Sequence, residues 1–330
     1  MAISATTSVL TGEDWKLAKD IRPGDWVFNR LGQPVKVKTA QMYRSEDCYR
    51  VTFDDYLSID GDAHLSHPIE DFEYRNQAHK YKGKFKRTTK PKIKTIIELL
   101  EAGLFFRGGR KQFSSPTTEP IQLPTQPLGI PPFIYGFWFF ARFRRKVLHV
   151  PTEFTDNVVQ KFKDSGYQVT MMPRINPKLD RFRTVPSIWD QLRGEQTHKI
   201  PLAYLNGSPE QRLELIQGIL SAYQPRKASN IGQFEYHHRR KHIITAIQFL
   251  VESLGAKTRI AHLPSNNVYR LTIQRYAPFL PNMAPPRPIA HMSRRYVISI
   301  EQIPAQLCVH IETDDSDGSY LAGEGFISCH

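Results

Sequence analysis

Two short segments, one near the start and one at the end of the chain, hold residues suited to acid–base or nucleophilic chemistry. His64 and His67 lie three positions apart in the sequence SIDGDAHLSHP. The final segment, CVHIETDDSDGSYLAGEGFISCH, begins at Cys308 and ends on Cys329 and His330. A histidine can transfer protons near neutral pH, and a cysteine thiolate is a nucleophile. These residues can serve one site only if the fold brings the two segments together.

The elements that carry these residues are short strands and turns. CVHIE alternates in polarity as a half-buried strand does, DDSDGS is a polar turn, and YLAGEGFIS is predicted as a second strand with its own pair of glycines. A histidine beside a turn is often only a surface residue. Cys308 can equally be a buried strand thiol. The sequence leaves both alternatives open.

The two ends of the chain resemble one known family. The last segment is similar to the C-terminal splicing blocks of inteins, especially those of phage terminases and replicative helicases, in which strand, turn and strand lead to His-Asn. Residues 2–28, AISATTSVLTGEDWKLAKDIRPGDWVF, resemble the intein start: small residues, a Thr, an apolar strand and an apolar-Gly-Asp-apolar turn. The positions that fit are Thr7, Val9, Leu10, Trp15, Ile21, Gly24, Asp25 and Val27. The resemblance implies autocatalytic protein splicing, with the flanking exteins of a host protein as partners in cis.

The resemblance also implies roles for residues of the first two blocks. Ala2 stands where the family has a Cys or Ser nucleophile, so we expect the first acyl transfer to be blocked, whether Ala2 is natural or engineered. Thr7 matches the Thr of the first block. The second block usually reads Thr-x-x-His, and its His protonates the leaving amine. We choose His64 for this role, which puts Gly61 in the Thr place, and we keep His67 as the alternative.

At the other end, His330 matches the histidine that assists cyclisation of a terminal Asn. The sequence does not contain that Asn, so we expect a trapped form. Cys308 aligns with a cysteine that makes the first attack in a minority intein class that starts with Ala. That class also has a Trp two residues after the second-block His, where this chain has Ser66. Splicing itself implies no cofactor.

Length, apolar content, cysteine number and net charge narrow the classes of protein to which this chain can belong. A chain of 330 residues is long enough for two domains, and it has no apolar run near the length of a membrane span. It shows no signal-peptide pattern, and its three cysteines suit a reducing compartment, so we expect the cytoplasm of a bacterium or phage-infected host. The net charge of +13 favours a polyanionic partner, most simply nucleic acid.

The pattern along the chain indicates an insertion. Residues 2–70 and 290–330 read as strands and are expected to pair as one all-β, horseshoe-shaped Hint splicing domain. Residues 72–127 are predicted to be a basic linker or DNA-recognition region, with a short helix that Thr95 caps. Residues 128–289 then carry two similar halves, each an apolar helix followed by mixed helix and strand.

The inserted segment resembles the LAGLIDADG homing endonucleases. The two motif helices align with FIYGFWFFARF, residues 133–143, and RLELIQGILSAYQ, residues 212–224. The resemblance implies an α+β fold with pseudo-two-fold symmetry. It also implies that Gly136 and Gly218 let the two helices pack closely. We therefore expect an all-β domain interrupted by this second, α+β domain.

The nuclease is expected to be inactive. In the family an acidic residue at the end of each motif helix binds Mg²⁺ beside the scissile phosphate, and carboxylates are the ligands that Mg²⁺ prefers. Those positions are Ala141 and Tyr223 here, so the Mg²⁺ ligands of an active enzyme are lost and no metal site is expected. A shifted register that recruits Glu214 or Asp156 is the alternative.

Clustered basic residues suggest contacts to double-stranded DNA. For the basic run of residues 80–94, a solvated loop or linker explains the pattern equally well. The candidates are Lys84, Lys86, Arg87, Lys90, Arg142, Arg144, Arg145, Arg239 and Arg240. The competing function is therefore a DNA-binding protein or a site-specific DNA endonuclease acting in its own right. In either case we expect a monomer.

Overall fold

The computed structural model describes the chain except at residues 73–74, 76–90, 107, 142, 145–146, 193–198, 224–225, 228–232, 275–293 and 317. It divides into two compact units. The terminal unit comprises Met1–Gln122 and Ala290–His330, and the inserted unit comprises Leu123–Ile289. Residues 91–122 therefore lie in the terminal unit, although the sequence suggested a separate linker or recognition region over 72–127. Among the described residues, no helix is long and apolar enough to cross a membrane.

The described chain is rich in short strands. They are β1 Ile3–Ser4, β2 Ser8–Leu10, β3 Trp15–Leu17, β4 Trp26–Phe28, β5 Pro34–Ser45, β6 Cys48–Phe53, β7 Ser58–Asp62, β8 Ser66–Ile69, β9 Lys92–Thr95, β10 Phe105–Phe106, β11 Arg110–Lys111, β12 Ser114–Pro116, β13 Phe143–Arg144, β14 Val147–Pro151, β15 Gln168–Asn176, β16 Leu179–Val185, β17 Arg226–Lys227, β18 Phe234–His238, β19 Thr258–Leu263, β20 Val268–Ile273, β21 Arg294–Ile303, β22 Gln306–Thr313, β23 Tyr320–Ala322 and β24 Ile327–Cys329. The α-helices are α1 Ile96–Ala102, α2 Pro132–Phe140, α3 Thr155–Asp164, α4 Ile188–Gln191, α5 Leu202–Leu205, α6 Pro209–Tyr223 and α7 Lys241–Glu252. Short 3-10 turns lie at Ala18–Asp20, Thr152–Phe154 and Pro264–Asn266.

The terminal unit is built on an eight-stranded sheet with the order β12-β21-β6-β7-β1-β22-β5-β4. The first strand, β1, lies between β7 and β22, where Ile3 is opposite both Gly61 and Val309. Because β22 comes from the last part of the chain, the sheet joins the two ends of the sequence. Apolar side chains of both ends, including Ile3 and Val309, share one buried core.

Local sequence patterns in the terminal unit explain one of its turns and the start of one of its helices. A hairpin around Leu31 and Gly32 connects β4 and β5. Gly32 has a φ of +73°, and a Cβ there would lie 2.2 Å from the carbonyl oxygen of Pro120, so a glycine is required. The predicted helix is α1, in which the Thr95 hydroxyl accepts the Glu98 N–H and the Glu98 side chain accepts the Thr95 N–H. This capping box confirms Thr95 as the cap.

The C-terminal segment differs from its prediction. YLAGEGFIS does not form one strand, because β23 and β24 pair with each other, with Ala322 opposite Ile327. The backbone reverses between them at Gly323, with φ +74°, and Phe326, with φ +54°. Left-handed backbone of this kind is what a tight reversal needs, and a glycine adopts it without strain. The last strand, β24, therefore folds back toward β8. There the N–H of His330 donates to the carbonyl oxygen of Ser66, the first residue of β8.

The inserted unit repeats one arrangement twice. Its first half runs α2, β13, β14, α3, β15 and β16, and its second half runs α6, β17, β18, α7, β19 and β20. The sheet orders, β13-β14-β16-β15 and β17-β18-β20-β19, correspond strand for strand. This correspondence agrees with the expectation of two similar halves. The helix α2 ends at Phe140, so the predicted helix over residues 133–143 is too long, and its last residues turn into β13.

The helices α2 and α6 cross at two glycines. A Cβ on Gly218 would lie 2.1 Å from the carbonyl oxygen of Phe133, and a Cβ on Gly136 would lie 2.3 Å from that of Leu215. Backbone atoms at such distances leave no room for any side chain. The close packing expected at Gly136 and Gly218 is therefore confirmed. It lies inside a large apolar core made by both halves of the unit.

Candidate functional site

The site in the terminal unit begins at Ala2, which is fully buried just before β1. Its N–H donates to Asp62 Oδ1 at 3.1 Å, and its carbonyl oxygen accepts the Asp62 N–H at 2.9 Å. Gly61 makes this approach possible, because a Cβ there would lie 2.6 Å from the Ala2 carbonyl oxygen. The Ala2 methyl packs in a small buried cluster with Cys48 and Cys308. The position expected to hold a nucleophile is thus enclosed by protein.

Asp62 collects several polar groups around the start of the chain. Its carboxylate accepts the Ala2 N–H and the Tyr43 hydroxyl, and the Met1 amino nitrogen lies 3.5 Å from its Oδ2. The carboxylate also accepts the backbone N–H of His64 at 3.1 Å. Burial and the bond to Asp62 raise the pKa of Tyr43, so its phenol stays protonated and donates. Asp62 is therefore a buried acceptor aimed at the amide between Met1 and Ala2.

His310 contacts the other side of the same amide. Its Nδ1 lies 2.6 Å from the Met1 carbonyl oxygen. The alternation of β22 explains the placement, because Val309 and Ile311 face the core while Cys308 and His310 share the opposite face. The two polar atoms of the Met1–Ala2 peptide are thus contacted by two different side chains, Asp62 on nitrogen and His310 on oxygen.

Cys308 lies beside Ala2 as a protonated thiol. Its sulfur is 3.9 Å from the sulfur of Cys48, and both thiols are buried. Burial, with a further contribution from Cys48 and Asp62, raises the pKa of Cys308 to about 12. The nucleophilic thiolate is therefore disfavoured in this arrangement. Cys329 is also a free, buried thiol, and burial raises its pKa as well.

The end of the chain meets His67. This side chain is fully buried, and its Nδ1 lies 2.9 Å from the carbonyl oxygen of Ser328. Burial lowers the pKa of His67 to about 4, with the nearby His330 acting in the same direction, so the ring is neutral at pH 7. Its Nε2 has no hydrogen-bond partner among the described residues. The ring is therefore a neutral imidazole that presents an unbonded Nε2 near the last residues of the chain.

Ser66 links the two ends of the chain. Its carbonyl oxygen accepts the His330 N–H at 3.0 Å, and its hydroxyl lies 3.4 Å from the His330 carbonyl oxygen. The same hydroxyl lies 3.3 Å from the Met1 sulfur. The first and the last residue of the sequence therefore contact one side chain.

The structure places the two histidines differently. His64 is exposed to solvent, whereas His67 is buried against the end of the chain. Both remain predictions for the second-block histidine, and the burial of His67 favours the alternative residue. With His67 as the second-block histidine, the Thr place of that block falls on His64 rather than on Gly61. Thr7 lies in the turn after β1, where its N–H donates to Ser4 and its carbonyl accepts from Ala18.

The helix ends of the inserted unit are neutral where they are described. Ala141 is buried directly after α2, and Tyr223 is the last residue of α6. Glu214, a candidate for a shifted register, lies in the middle of α6 and pairs with Lys161 at 3.1 Å. Asp156, the other candidate, lies in the first turn of α3. In the described part of the chain, no group of three or more His, Cys, Asp or Glu residues could hold a metal ion.

Most of the predicted DNA contacts cannot be placed. Lys84, Lys86, Arg87, Lys90, Arg142 and Arg145 lie outside the described residues. Arg144 belongs to β13, and Arg239 and Arg240 are exposed immediately before α7. The two arginines before α7 are therefore accessible to a polyanionic partner.

Sequence reasoning missed Asp62, His310 and Tyr43. For His310 a signal exists, because strict alternation in CVHIE puts Cys308 and His310 on the same face. For Asp62 and Tyr43 the sequence offers no comparable signal. Their role depends on the pairing of β1 with β7 and of β22 with β5, which brings residues far apart in sequence to one place.

Comparison with known proteins gives matches over the whole chain. No protein-family model matches it. The replicative DNA helicase DnaB of Mycobacterium intracellulare is 22% identical over 356 residues, which covers 100% of this chain and 58% of the helicase. The chain thus spans little more than half the length of that curated relative. The crystal structure of the MchDnaB-1 intein has a TM-score of 0.31 at 11% identity, with coverage of 99% of this chain and 98% of the intein.

The chain resembles an intein with an inserted homing endonuclease domain. Another similar structure is the Msm DnaB1 intein splicing domain bound with zinc, at a TM-score of 0.34 and 10% identity over 99% of this chain and 98% of that one. The homing endonuclease I-DmoI, crystallised with DNA and Ca, has a TM-score of 0.31 at 11% identity and covers 44% of this chain and 82% of its own.

Proposed function

We propose that the terminal unit is a protein-splicing domain of the Hint type, and that its substrates are the peptide bonds at its own two ends. The observation that carries the proposal is the meeting of Met1 and His330 at Ser66. Splicing requires both junctions in one site, because the acyl group released from one end must be transferred to the residue beyond the other. A fold that places its first strand at the centre of a sheet beside its last long strand satisfies that requirement.

Each of the two junctions lies against side chains suited to the reaction proposed there. The Met1–Ala2 peptide lies between Asp62 and His310, and the residues before the C-terminal junction lie against His67. What the site lacks is a side-chain nucleophile at position 2, since Ala2 has only a methyl group. The thiol of Cys308 is adjacent but is held protonated. We therefore propose that the chain with Ala2 is arrested before the first acyl transfer.

We further propose that the inserted unit is a homing endonuclease fold without nuclease activity. Ala141 and Tyr223 supply no carboxylate at the two helix ends, and a metal ion needs hard oxygen ligands there. The unit would bind double-stranded DNA through its basic residues, in a manner that weakens as salt rises. The partners proposed for the whole chain, as a monomer, are thus its flanking exteins in cis and, more weakly, DNA. The free thiols suit the reducing cytoplasm of a bacterial or phage-infected host.

Restoration of the missing nucleophile tests the splicing proposal. The chain would be placed between two reporter proteins, with Ala2→Cys at one junction and Asn followed by Cys after His330 at the other. The expected result is ligated reporters and free insert, read on a gel and by intact mass. The parallel chain with Ala2 is the matched control and should give no ligated product.

One outcome of this experiment would overturn the splicing proposal. A soluble, folded precursor with Ala2→Cys that yields neither ligation nor cleavage at either junction would show that the terminal unit is not a splicing domain. Salt-sensitive DNA binding by that same precursor would then favour the alternative of a DNA-binding protein.

A further inference from the structure

We propose that Asp62 and His310 are the catalytic pair at the N-terminal junction: His310 stabilises the oxyanion that forms on the Met1 carbonyl oxygen, and Asp62 carries the proton to the Ala2 nitrogen. This assignment rests on the proposed splicing function and extends it, because it gives the first step to residues other than the second-block histidine. Neither residue belongs to the positions that the family resemblance singles out.

The geometry of a single peptide bond carries the assignment. His310 Nδ1 lies 2.6 Å from the Met1 carbonyl oxygen, which is a short distance for a nitrogen–oxygen hydrogen bond. On the nitrogen side of the same bond, the Ala2 N–H donates to Asp62 Oδ1 at 3.1 Å. A donor at the oxygen and a carboxylate at the nitrogen are the two groups that acyl transfer from an amide requires.

The surroundings hold both groups in place. Asp62 is 4% exposed, ends β7, and is bonded to Ala2 through its backbone as well as its side chain. The Tyr43 hydroxyl donates to the second carboxylate oxygen. His310 is fixed by β22, which pairs with β1 directly beside the junction. The carboxylate thus has one oxygen on Tyr43 and the other on the reacting amide.

The two histidines of the second block are not placed for this step. His64 is exposed, and its ring is not among the groups that contact the junction. His67 Nδ1 is bonded to the Ser328 carbonyl oxygen, two residues before the end of the sequence. In this chain, therefore, the buried His67 serves the C-terminal junction, and the N-terminal junction relies on His310 and Asp62.

The step balances without any external oxidant, reductant or cofactor. In a chain with Ala2→Cys, the thiol attacks the Met1 carbonyl carbon, a C–S bond forms, and negative charge moves to the oxygen that His310 contacts. Asp62 takes up the thiol proton. The C–N bond to residue 2 then breaks, and the proton passes from Asp62 to the departing nitrogen. The products are a thioester on the residue 2 side chain and a free amine on its backbone.

Thiol-induced cleavage at the N-terminal junction measures this step alone. The parent chain would carry a reporter before Met1, Ala2→Cys, and Ala after His330, and dithiothreitol would release the reporter from the thioester. In this background His310→Ala should slow release by about 100- to 1,000-fold, which is the typical cost of losing one oxyanion donor. His310→Gln keeps an N–H donor and should recover part of that loss. Added imidazole should also restore part of the rate to His310→Ala, which a purely structural role of His310 would not allow.

Asp62→Asn is the companion variant. It keeps an oxygen that can accept the Ala2 N–H but cannot carry a proton, so release should slow by at least about tenfold. Glu46→Gln is the matched control, because it removes an exposed carboxylate of the same unit that pairs with Arg44 on the surface, and it should release the reporter at the parent rate.

A second assay shows that the variants are folded. It also distinguishes a wrong assignment of His310 from a wrong proposed function. With Ala2 retained and an Asn placed after His330, cleavage at the C-terminal junction should proceed equally in the parent and in His310→Ala. If the parent with Ala2→Cys releases reporter and His310→Ala releases it as fast, the assignment of His310 is wrong while the splicing function stands. If the parent releases no reporter in the first assay and does not cleave at the C-terminal junction in the second, the proposed function fails.

Discussion

The two units of this chain each have a residue without a reactive group where the proposed chemistry would need one, and they differ in what surrounds that residue. In the terminal unit the nucleophile position holds Ala2, yet the polar groups around it remain in bonding geometry, with Asp62 and His310 on the adjacent peptide. In the inserted unit the apolar helix crossing remains, while Ala141 and Tyr223 leave both helix ends without a carboxylate. On the proposed functions, the terminal unit has the surroundings of a splicing site without a nucleophile, and the inserted unit has an endonuclease fold without metal ligands.

The difference shows that packing and chemistry are separate requirements on a sequence. The helix crossing of the inserted unit depends on Gly136 and Gly218, and nothing in that contact needs a metal ion. The terminal unit, by contrast, also holds buried ion pairs: Arg295 pairs with Asp55 at 2.7 Å, and Arg294 pairs with Glu70, in a part of the sheet away from Ala2. On the proposed functions, the single substitution Ala2→Cys should restore chemistry in the terminal unit, whereas the inserted unit would need carboxylates at two positions.

The largest expected effect on stability sharpens this contrast in the terminal unit. Asp55→Ala should destabilise it by about 3 to 5 kcal/mol, because Arg295 would keep a buried charge without its partner. The double variant Asp55→Ala/Arg295→Met should recover most of that loss. Chemical denaturation followed by a probe in each unit measures both. A loss confined to the inserted unit would contradict the assignment.

The pH dependence of the terminal unit should report His67. Its pKa is about 4 in the folded chain and ordinarily 6.5, so between these pH values the unfolded chain binds more protons and the folded state becomes less stable as pH falls. The contribution is fully present above pH 6.5 and amounts to something on the order of 3 kcal/mol. His67→Gln should flatten this part of the stability curve. Equal slopes in the parent and in His67→Gln would show that His67 does not titrate as a buried group.

The helix crossing offers a matched test in the inserted unit. Gly218→Ala should destabilise that unit by about 1 to 3 kcal/mol, because the new Cβ would lie 2.1 Å from the Phe133 carbonyl oxygen. Gly129→Ala is the control, since a Cβ there meets nothing within 4 Å. Thermal unfolding or limited proteolysis of the inserted unit would measure both. A neutral Gly218→Ala would mean that the two helices do not pack as closely as described.

The smallest expected effect concerns metal ions. Mg²⁺ or Mn²⁺ should not raise the unfolding temperature of the parent inserted unit, because Ala141 and Tyr223 offer no hard ligand. In the double variant Ala141→Asp/Tyr223→Asp, the cation should raise the unfolding temperature, because a ligand that binds only the folded state stabilises it. A cation-dependent rise in the parent that Glu214→Gln abolishes would instead support the shifted register.

The sequence predicted much of the fold and less of the site. Both chain ends, the Thr95 cap and the two close-packing glycines could be recognised because each rests on a local pattern. The sequence could not show which of His64 and His67 is buried, because burial of a histidine near a turn depends on what packs over it, here the strand β24. Asp62 could not be identified because its partners, Ala2 and Tyr43, come to it only through strand pairing. The reversal at Gly323 was missed because a short apolar run with glycines reads equally well as one strand.

One measurement tests the central claim most directly: ligation of two reporters by the Ala2→Cys chain, with and without the inserted unit. An Asn and a Cys would follow His330, and residues 123–289 would be replaced by a flexible linker in one version. Since all the groups at the two junctions belong to the terminal unit, we predict ligated product from both versions, at rates within about tenfold, with none from Ala2. Ligation by the full chain but not by a folded, soluble version without residues 123–289 would contradict the account, because the inserted unit would then be part of the splicing site.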